Sequence, residues 1–85
     1  MKIIDPRKYN LSSRILLQQN SSNHIFIVMD RKSRIIMSDG HRIIKIVKTI
    51  QSVEYKNKIS VLTSAPVCSK TQDFLAKNKI EINKL

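Results

Sequence analysis

Polar side chains that could bind a ligand or take part in catalysis are concentrated in two short segments of this chain. One is Ser38-Asp39-Gly40, and the other runs from Thr63 to Thr71 and holds six residues with hydroxyl, thiol or amine groups. Two such segments at the carboxyl ends of neighbouring parallel strands would line a binding cleft. Helix capping is the alternative for Ser38, Asp39 and Ser69, because such side chains accept bonds from the first N–H groups of a helix.

The second segment has the spacing of a phosphate-binding loop, G-x-x-x-x-G-K-[ST], with Ser64 and Ser69 in place of the two glycines. Those glycines let the backbone wrap around the phosphates, so a nucleotide triphosphatase is not expected. A single anion is a simpler ligand, because the N–H groups at a helix start attract negative charge. The sequence therefore predicts a phosphate or sulfate site at Ser69, Lys70 and Thr71.

The tripeptide Asp30-Arg31-Lys32, which follows an apolar run, resembles the D/E-x-K motif of the restriction-endonuclease-like core. The resemblance implies metal-dependent cleavage of phosphodiester bonds, which needs a second acid beside the first to hold magnesium. The acids available for that role stand in no recognisable motif: Asp5, Asp39 and Glu54. A turn also explains Asp30, so a degenerate nuclease-like or phosphate-binding enzyme is kept only as the weaker alternative.

The only cysteine, Cys68, lies close to Lys70 at the start of a predicted helix, a setting that activates thiols exposed to solvent. His24 and His41 are too distant in sequence to argue for a catalytic triad, and a buried, inert thiol is the commoner situation. One cysteine and two histidines are also too few for a typical structural zinc site. We expect no catalytic residue, no metal and no cofactor.

Basic residues dominate the charge of the chain: 16 Lys and Arg against 6 Asp and Glu give a formal net charge of +10. They are spread along the whole sequence, so the folded body carries the charge rather than a tail. Such surfaces bind phosphate backbones by releasing condensed counterions. The predicted contacts are at a hairpin tip and on one helix face: Arg31, Lys32, Arg34, Arg42, Lys45 and Lys48.

Nucleic acid, DNA or RNA of low sequence specificity, is therefore the leading partner for this chain. Of its few aromatic residues, Phe26 and Phe74 fit the core, so a platform that stacks single-stranded bases is not expected. We expect a small, non-catalytic nucleic-acid-binding protein or accessory subunit. A protein-interaction module for an acidic partner is the alternative, because the same charges would serve it.

Hydrophobic periodicity predicts an α/β or α+β domain, a mixed sheet of about four to six strands with two helices in the order β-β-β-α-β-α-β. The clearest helix has Ile43, Ile46 and Ile50 on one face and basic residues on the other. The clearest hairpin pairs Ile25–Met29 with Arg34–Met37. The other predicted elements are strands at Met1–Ile4, Arg14–Gln19, Ile59–Leu62 and Lys79–Ile82, a turn at Asn20–Asn23 and a helix from Ser69 to about Asn78.

We expect one basic domain over residues 1–85, with residues 1–11 as a candidate for a loosely attached N-terminal segment. The longest apolar run, Ile25–Met29, is far too short to span a membrane, and the N-terminus turns polar too early for a signal peptide. A cytoplasmic protein without membrane contact is therefore expected. The edge strand at Lys79–Ile82 leaves backbone groups unpaired, which favours a homodimer.

Overall fold

Five strands form one mixed sheet, and their order across the sheet is their order in the chain. The computed structural model describes every residue except Ser21. The strands are β1 (Lys2–Ile4), β2 (Leu16–Gln19), β3 (His24–Met29), β4 (Lys58–Thr63) and β5 (Glu81–Lys84). β2 runs antiparallel to both β1 and β3, whereas β3, β4 and β5 run parallel to one another.

Two α-helices connect the parallel strands: α1 (Met37–Val53) joins β3 to β4, and α2 (Ser69–Lys77) joins β4 to β5. Crossovers between parallel strands are right-handed, and both of these advance across the sheet in the same direction. Both helices therefore lie on one side of the sheet, where they contact each other. The architecture confirms the predicted fold class and the order β-β-β-α-β-α-β.

Helix α1 buries the apolar face that its period of about 3.6 residues predicted. Ile43, Ile46 and Ile50 are buried. The Asp39 carboxylate accepts the backbone N–H of Ile36 at 3.0 Å, at the point where the helix begins. This bond satisfies one of the N–H groups that a helix start leaves unpaired, so Asp39 caps α1 from within its first turn. In the described part of the chain, no helix is long and apolar enough to cross a membrane.

The hydrophobic core lies between the helices and the sheet. Leu17, Ile27 and Val61 stand side by side across β2, β3 and β4, and all three are buried. Because side chains alternate along a strand, the residues before and after each of these three point to the other side of the sheet. Each fully buried aliphatic side chain contributes about 1.5–3 kcal/mol relative to an exposed one. The helix-covered face of the sheet is therefore the main source of stability.

Gly40, the only glycine, lies where α1 passes close to α2. A Cβ atom at this position would come within 3.2 Å of both Phe74 Cδ2 and Thr71 Cγ2. Since that is closer than ordinary van der Waals contact, a larger residue would force these neighbours to move. The glycine thus allows the two helices to pack closely.

Residues 1–11, the candidate for a loosely attached segment, contribute β1 and a short 3-10 helix, Pro6–Tyr9. The Tyr9 ring is fully buried, and its hydroxyl donates a hydrogen bond to the Glu54 carboxylate. Lys8 forms an ion pair with the same carboxylate at 3.4 Å. These contacts connect the N-terminal segment to the end of α1.

The predicted hairpin between Ile25–Met29 and Arg34–Met37 is wrong. Ile35 forms only an isolated parallel bridge with Val67, and α1 already begins at Met37. The apolar residues after Arg34 have strand propensity, but the cap from Asp39 draws the chain into a helix. Asp39, a polar residue beyond the apolar run, therefore determines that this segment starts a helix rather than a strand.

The hairpin that does form joins β2 to β3. Asn20 Oδ1 accepts the N–H groups of Ser22 and His24 at 2.9 and 3.1 Å, and Asn23 adopts a φ of 60°. Asparagine tolerates this left-handed conformation and bonds readily to nearby backbone, which suits it to tight turns. Ser21, within the predicted turn Asn20–Asn23, lies outside the described residues.

Strand β5 begins at Glu81, two residues later than predicted for the edge strand. Lys79 has a φ of 61°, and the Ile80 N–H donates to the Leu75 carbonyl at 2.9 Å. Both features belong to the end of a helix, where a left-handed residue lets the last carbonyls find donors. Termination of α2 therefore takes up the first half of the predicted strand.

Candidate nucleic-acid interface

The loops that follow β3 and β4 are joined to each other at the carboxyl end of the parallel strands. Ser64 Oγ donates a hydrogen bond to Asp30 Oδ1 at 2.6 Å and accepts one from the Arg31 N–H at 3.1 Å. Thr63 Oγ1 donates to the Met29 carbonyl at 2.7 Å. Of the polar residues that the sequence placed at this edge, Thr63 and Ser64 thus bind the end of β3 and the loop that follows it.

Arg31, one of the predicted nucleic-acid contacts, is held by an ion pair. Its guanidinium lies 2.6 Å from Asp39 Oδ2, and the two side chains are only 32% and 14% exposed. Burial by itself would raise the pKa of Asp39, but the Ile36 N–H and the guanidinium groups of Arg31 and Arg42 outweigh it and lower that pKa. Arg31 therefore ties the loop to the start of α1, and its charge is largely neutralised.

Lys32 and Arg34, the other two bases predicted at the hairpin tip, are exposed in the loop before α1. They lie at the carboxyl end of the parallel strands rather than at a hairpin tip, because β3 leads into a helix and not into a returning strand. Among the residues that the structure describes, no carboxylate oxygen lies within 4.0 Å of either side-chain charge. Both are free to meet an anionic partner.

The outer face of α1 carries Arg42, Lys45 and Lys48, and all three side chains are exposed, as their helical spacing predicted. At about 1.5 Å of rise per residue, they extend along about 9 Å of the helix. None of them takes part in an ion pair within the part of the chain that the structure describes. Their side chains face solvent.

The loop and the helix face adjoin at the N-terminus of α1. Arg42 lies close enough to Asp39 for its charge to help lower the pKa of that carboxyl group. Asp39 in turn binds Arg31 from the loop. We call the five unpaired bases of this region the basic surface: Lys32, Arg34, Arg42, Lys45 and Lys48.

Sequence reasoning missed Arg14, an exposed base beside this surface. Arg14 and Arg42 line one groove of about 140 Å³, whose apolar walls include Leu16 and Val28. Leu16 stands directly opposite Val28 in the pairing of β2 with β3. Because the predicted hairpin did not contain this pairing, nothing in the sequence pattern connected Arg14 with α1.

The three residues predicted to bind an anion do not share one surface. Ser69 and Lys70 are exposed at the start of α2, but Thr71 is fully buried. Hydrogen bonding from the backbone N–H groups of Lys70 and Thr71 lowers the pKa of the half-buried Cys68 thiol. The thiol therefore competes for the N–H groups that were predicted to meet a phosphate, and the anion site stays a prediction.

The acids near Asp30-Arg31-Lys32 do not form a set of magnesium ligands. Asp30 accepts the hydroxyl hydrogen bond from Ser64, and Asp39 is paired with Arg31. A divalent cation of this kind needs several carboxylate or carbonyl oxygens directed at one point. Across the described residues, no three His, Cys, Asp or Glu side chains come together in this way. The residues present do not fit the metal that the D/E-x-K resemblance implies.

Phe26 is not a core residue, and the prediction that placed it there is wrong. It alternates with buried Ile25 and Ile27, so it points away from the helices, and it is half-buried and separate from the core cluster. The His24 ring stacks on it, with centroids 4.1 Å apart and planes inclined by 24°. Phe74 does pack against the core, as predicted. Because Ile25–Met29 is apolar at every position, the sequence pattern did not show which residues face the helices.

No family model matches the sequence, and no curated protein matches it. Solved structures similar to it include an EndoMS complex with DNA, EndoMS in apo form and a repair endonuclease. A structure of an EndoMS–dsDNA2 complex has a TM-score of 0.72 at 18% identity over 99% of this chain. EndoMS in apo form gives 0.65 at 19% identity over 82% of this chain. A repair endonuclease from Pyrococcus abyssi gives 0.66 at 14% identity over 82% of this chain.

This chain spans about a third of each of those proteins, with coverage of 36%, 33% and 31% of their lengths. Identities this low show a shared fold and nothing finer. The likeness therefore agrees with the observed sheet and helix arrangement, and the function rests on the residues of this chain.

Proposed function

We propose that this protein binds nucleic acid through the basic surface and catalyses no reaction on it. The observation that carries the proposal is the arrangement of the five bases of that surface, which are exposed along α1 and the preceding loop and form no ion pair in the described part of the chain. Unneutralised charges at this density attract a polyanion and release its condensed counterions.

The acids of the same region do not cancel this charge. Asp39 is paired with Arg31. Glu54 accepts a hydrogen bond from Tyr9 and forms an ion pair with Lys8. Among the described residues, Asp30 is then the one acid of this region that is not paired with a base, against the five bases of the basic surface. The protein as a whole carries +10, which extends the attraction beyond the contact surface.

Low sequence specificity follows from the kind of side chains involved. Flexible Lys and Arg side chains on the outside of a helix meet phosphates of either DNA or RNA, and phosphate contacts carry no base information. One of the structural neighbours is a complex of EndoMS with dsDNA, so a protein that contains this fold binds DNA. The absence of a proposed reaction rests on Asp30 and Asp39, whose bonds to Ser64 and Arg31 leave no converging acid pair.

A triple variant tests the proposal: Arg42→Glu, Lys45→Glu and Lys48→Glu together. The matched control replaces Lys2, Lys56 and Lys84, three other exposed lysines, by Glu, so that both proteins undergo the same change in net charge. Affinity for a duplex and for a single strand is measured by fluorescence anisotropy across a salt series. Circular dichroism checks that both variants are folded.

The α1 variant should bind both nucleic acids more weakly than the control. Its log–log salt dependence should flatten by about 0.7–0.9 for each phosphate that the variant no longer neutralises. Equal weakening in both variants would mean that only net charge matters and would contradict a role for the basic surface. Lack of binding by the unmodified protein at low salt, together with salt-sensitive capture of one acidic protein, would replace the proposal by the protein-interaction alternative.

A further inference from the structure

One face of the sheet carries both helices, and the other face is covered by no helix or strand of the described residues. We call this second side of the sheet the open face. Strand pairing places one row of side chains across its middle, from β1 to β5. The row consists of Ile3, Gln18, Phe26, Ser60 and Glu81.

Phe26 lies at the centre of this row, between the small or polar side chains of Gln18 and Ser60. The His24 ring stacks against it, and His24 Nε2 lies 2.7 Å from Ser60 Oγ. The hydrogen bond holds the imidazole in place, so the two rings form a preorganised aromatic pair. Burial, and to a lesser degree the charge of Lys58, lower the pKa of His24, which favours the uncharged imidazole.

The charge of the molecule decides between the possible occupants of the open face. A second copy would bring another +10 against this one, which opposes a face-to-face dimer. Among the described residues, Glu81 is the only acid at a strand position of the open face, and it is already paired with Lys58 at 3.2 Å. The face therefore offers no acidic surface to repel a polyanion, and its aromatic rings suit the flat π-faces of bases.

The groove beside β2 connects this face to the basic surface. Arg42 of the basic surface and Arg14 both line the groove, together with Leu16 and Val28 from the open face. Leu16 is 44% exposed whereas Val28 is buried, so the accessible apolar path from the groove onto the sheet runs over Leu16. A strand whose phosphates contact the two arginines can turn its bases toward the sheet.

We infer that the open face is a stacking platform for single-stranded nucleic acid, on which a base lies against the His24–Phe26 pair while Arg14 and Arg42 contact phosphates of the same strand. The inference rests on the proposed function and adds to it a preference for unpaired bases. A duplex keeps its base faces stacked inside, so it can use the basic surface but not this platform.

The experiment compares three probes of about 12 nucleotides, which fits the usual range of site sizes: an oligothymidylate strand, an abasic strand of equal charge, and a duplex. Phe26→Leu removes the ring and keeps an apolar side chain. Tyr55→Leu is the matched control, because Tyr55 is a 75% exposed aromatic residue that belongs to no strand. Phe26→Tyr restores an aromatic ring at the site.

Loss of one stacked base should weaken binding of Phe26→Leu to the base-bearing strand by about 5- to 150-fold, since stacking contributes about 1–3 kcal/mol per base. Binding to the abasic strand and the duplex should not change, and Phe26→Tyr should restore the affinity. Tyr55→Leu should behave like the unmodified protein. If Phe26→Leu does not fold, equal affinity of the unmodified protein for base-bearing and abasic strands would by itself refute the platform.

Failure of this inference is distinguishable from failure of the proposed function. Binding of all three probes with no effect of Phe26→Leu would leave the basic surface intact and remove the platform. Binding of none of them would remove both. A free protein that sediments as a dimer, and that Phe26→Leu converts to a monomer, would show that a second copy occupies the open face and would overturn the inference.

Discussion

The two faces of the sheet are built from the same five strands, but their side chains serve different ends. On the covered face, Leu17, Ile27 and Val61 form an aliphatic row that is buried under α1 and α2. On the open face, the neighbouring row has Gln18, Phe26 and Ser60 in the same strands. One face has the composition of a core, and the other has a mixed polar and aromatic composition.

The difference follows from connectivity. The three parallel strands are consecutive in the chain and adjacent in the sheet, so both crossovers must place their helices on the same side. A chain with only these two crossovers leaves the other side of its sheet uncovered. An amphipathic partition between the faces is therefore imposed by the topology, and it can be tested by changing matched positions on the two sides.

The largest expected effect compares adjacent residues of β2. Leu17 is fully buried on the covered face, whereas Leu16 is 44% exposed on the open face. Leu17→Ala should reduce the free energy of unfolding by about 2–5 kcal/mol, because it removes buried methyl groups and leaves a cavity. Leu16→Ala should cost about 1 kcal/mol or less. Urea denaturation measures both, and equal losses would show that something covers the open face in solution.

A smaller effect is expected from the polar contacts of the two faces. Tyr9 donates a hydrogen bond to the Glu54 carboxylate at the edge of the covered side. Tyr9→Phe should destabilise the fold by about 1.5–3 kcal/mol, the usual range for a hydrogen bond to a charged group. Ser60→Ala, which removes the bond to half-buried His24, should cost about 1 kcal/mol. If Ser60→Ala lowers the free energy of unfolding more than Tyr9→Phe does, the polar contacts of the open face contribute more to stability than those of the covered side, which would contradict this prediction.

The pH dependence of stability provides a separate check on the Tyr9 contact. The hydrogen bond from Tyr9 lowers the pKa of Glu54, so its contribution is present above the usual value of 4.5 and is lost as the pH falls further. Burial, followed by the bond to Glu54, raises the pKa of Tyr9 above its usual 10.0, so that contribution is present below pH 10.0 and is lost as the pH rises.

Thermal unfolding between about pH 3 and pH 11 should therefore show a stability plateau between these two values. In Tyr9→Phe the alkaline decline should shrink, because the titrating hydroxyl is gone. The decline in stability at acid pH should shrink as well. Part of that decline should remain, because the pKa of Asp39 is also lowered and its protonation also reduces stability. Identical profiles for the two proteins would mean that the Tyr9–Glu54 contact contributes nothing in solution.

The smallest expected effect concerns the helix layer itself and whether it binds an anion of its own. If backbone N–H groups near Ser69 bind phosphate or sulfate, Lys70→Ala should lose more of the stabilisation by sulfate than Lys84→Ala does. The expected difference is about 0.3–1 kcal/mol, the usual size of a charge effect at a helix end. If sulfate shifts the melting temperature of the two variants equally, these N–H groups do not bind the anion. Cys68 would then remain their acceptor.

The sequence by itself was enough to predict both helices, the approximate positions of the five strands and the place of the free charges on α1, although it also predicted a strand at Arg34–Met37 that does not form. A period near 3.6 separates Ile43, Ile46 and Ile50 from Arg42, Lys45 and Lys48, and both groups lie where that period placed them. Helical period and strand alternation are local properties of the sequence, so they do not depend on which tertiary contacts the segment makes.

Only the tertiary structure decided which partner each segment takes. Arg31 looked like any other exposed base until the loop brought it to Asp39, and Arg14 had no role until β2 paired with β3. Alternation divides β3 into two faces, but Ile25–Met29 is apolar on both, so local pattern gave no reason to set Phe26 apart from the core. The handedness of two adjacent crossovers made that choice, because it put both helices on the side of Ile25 and Ile27.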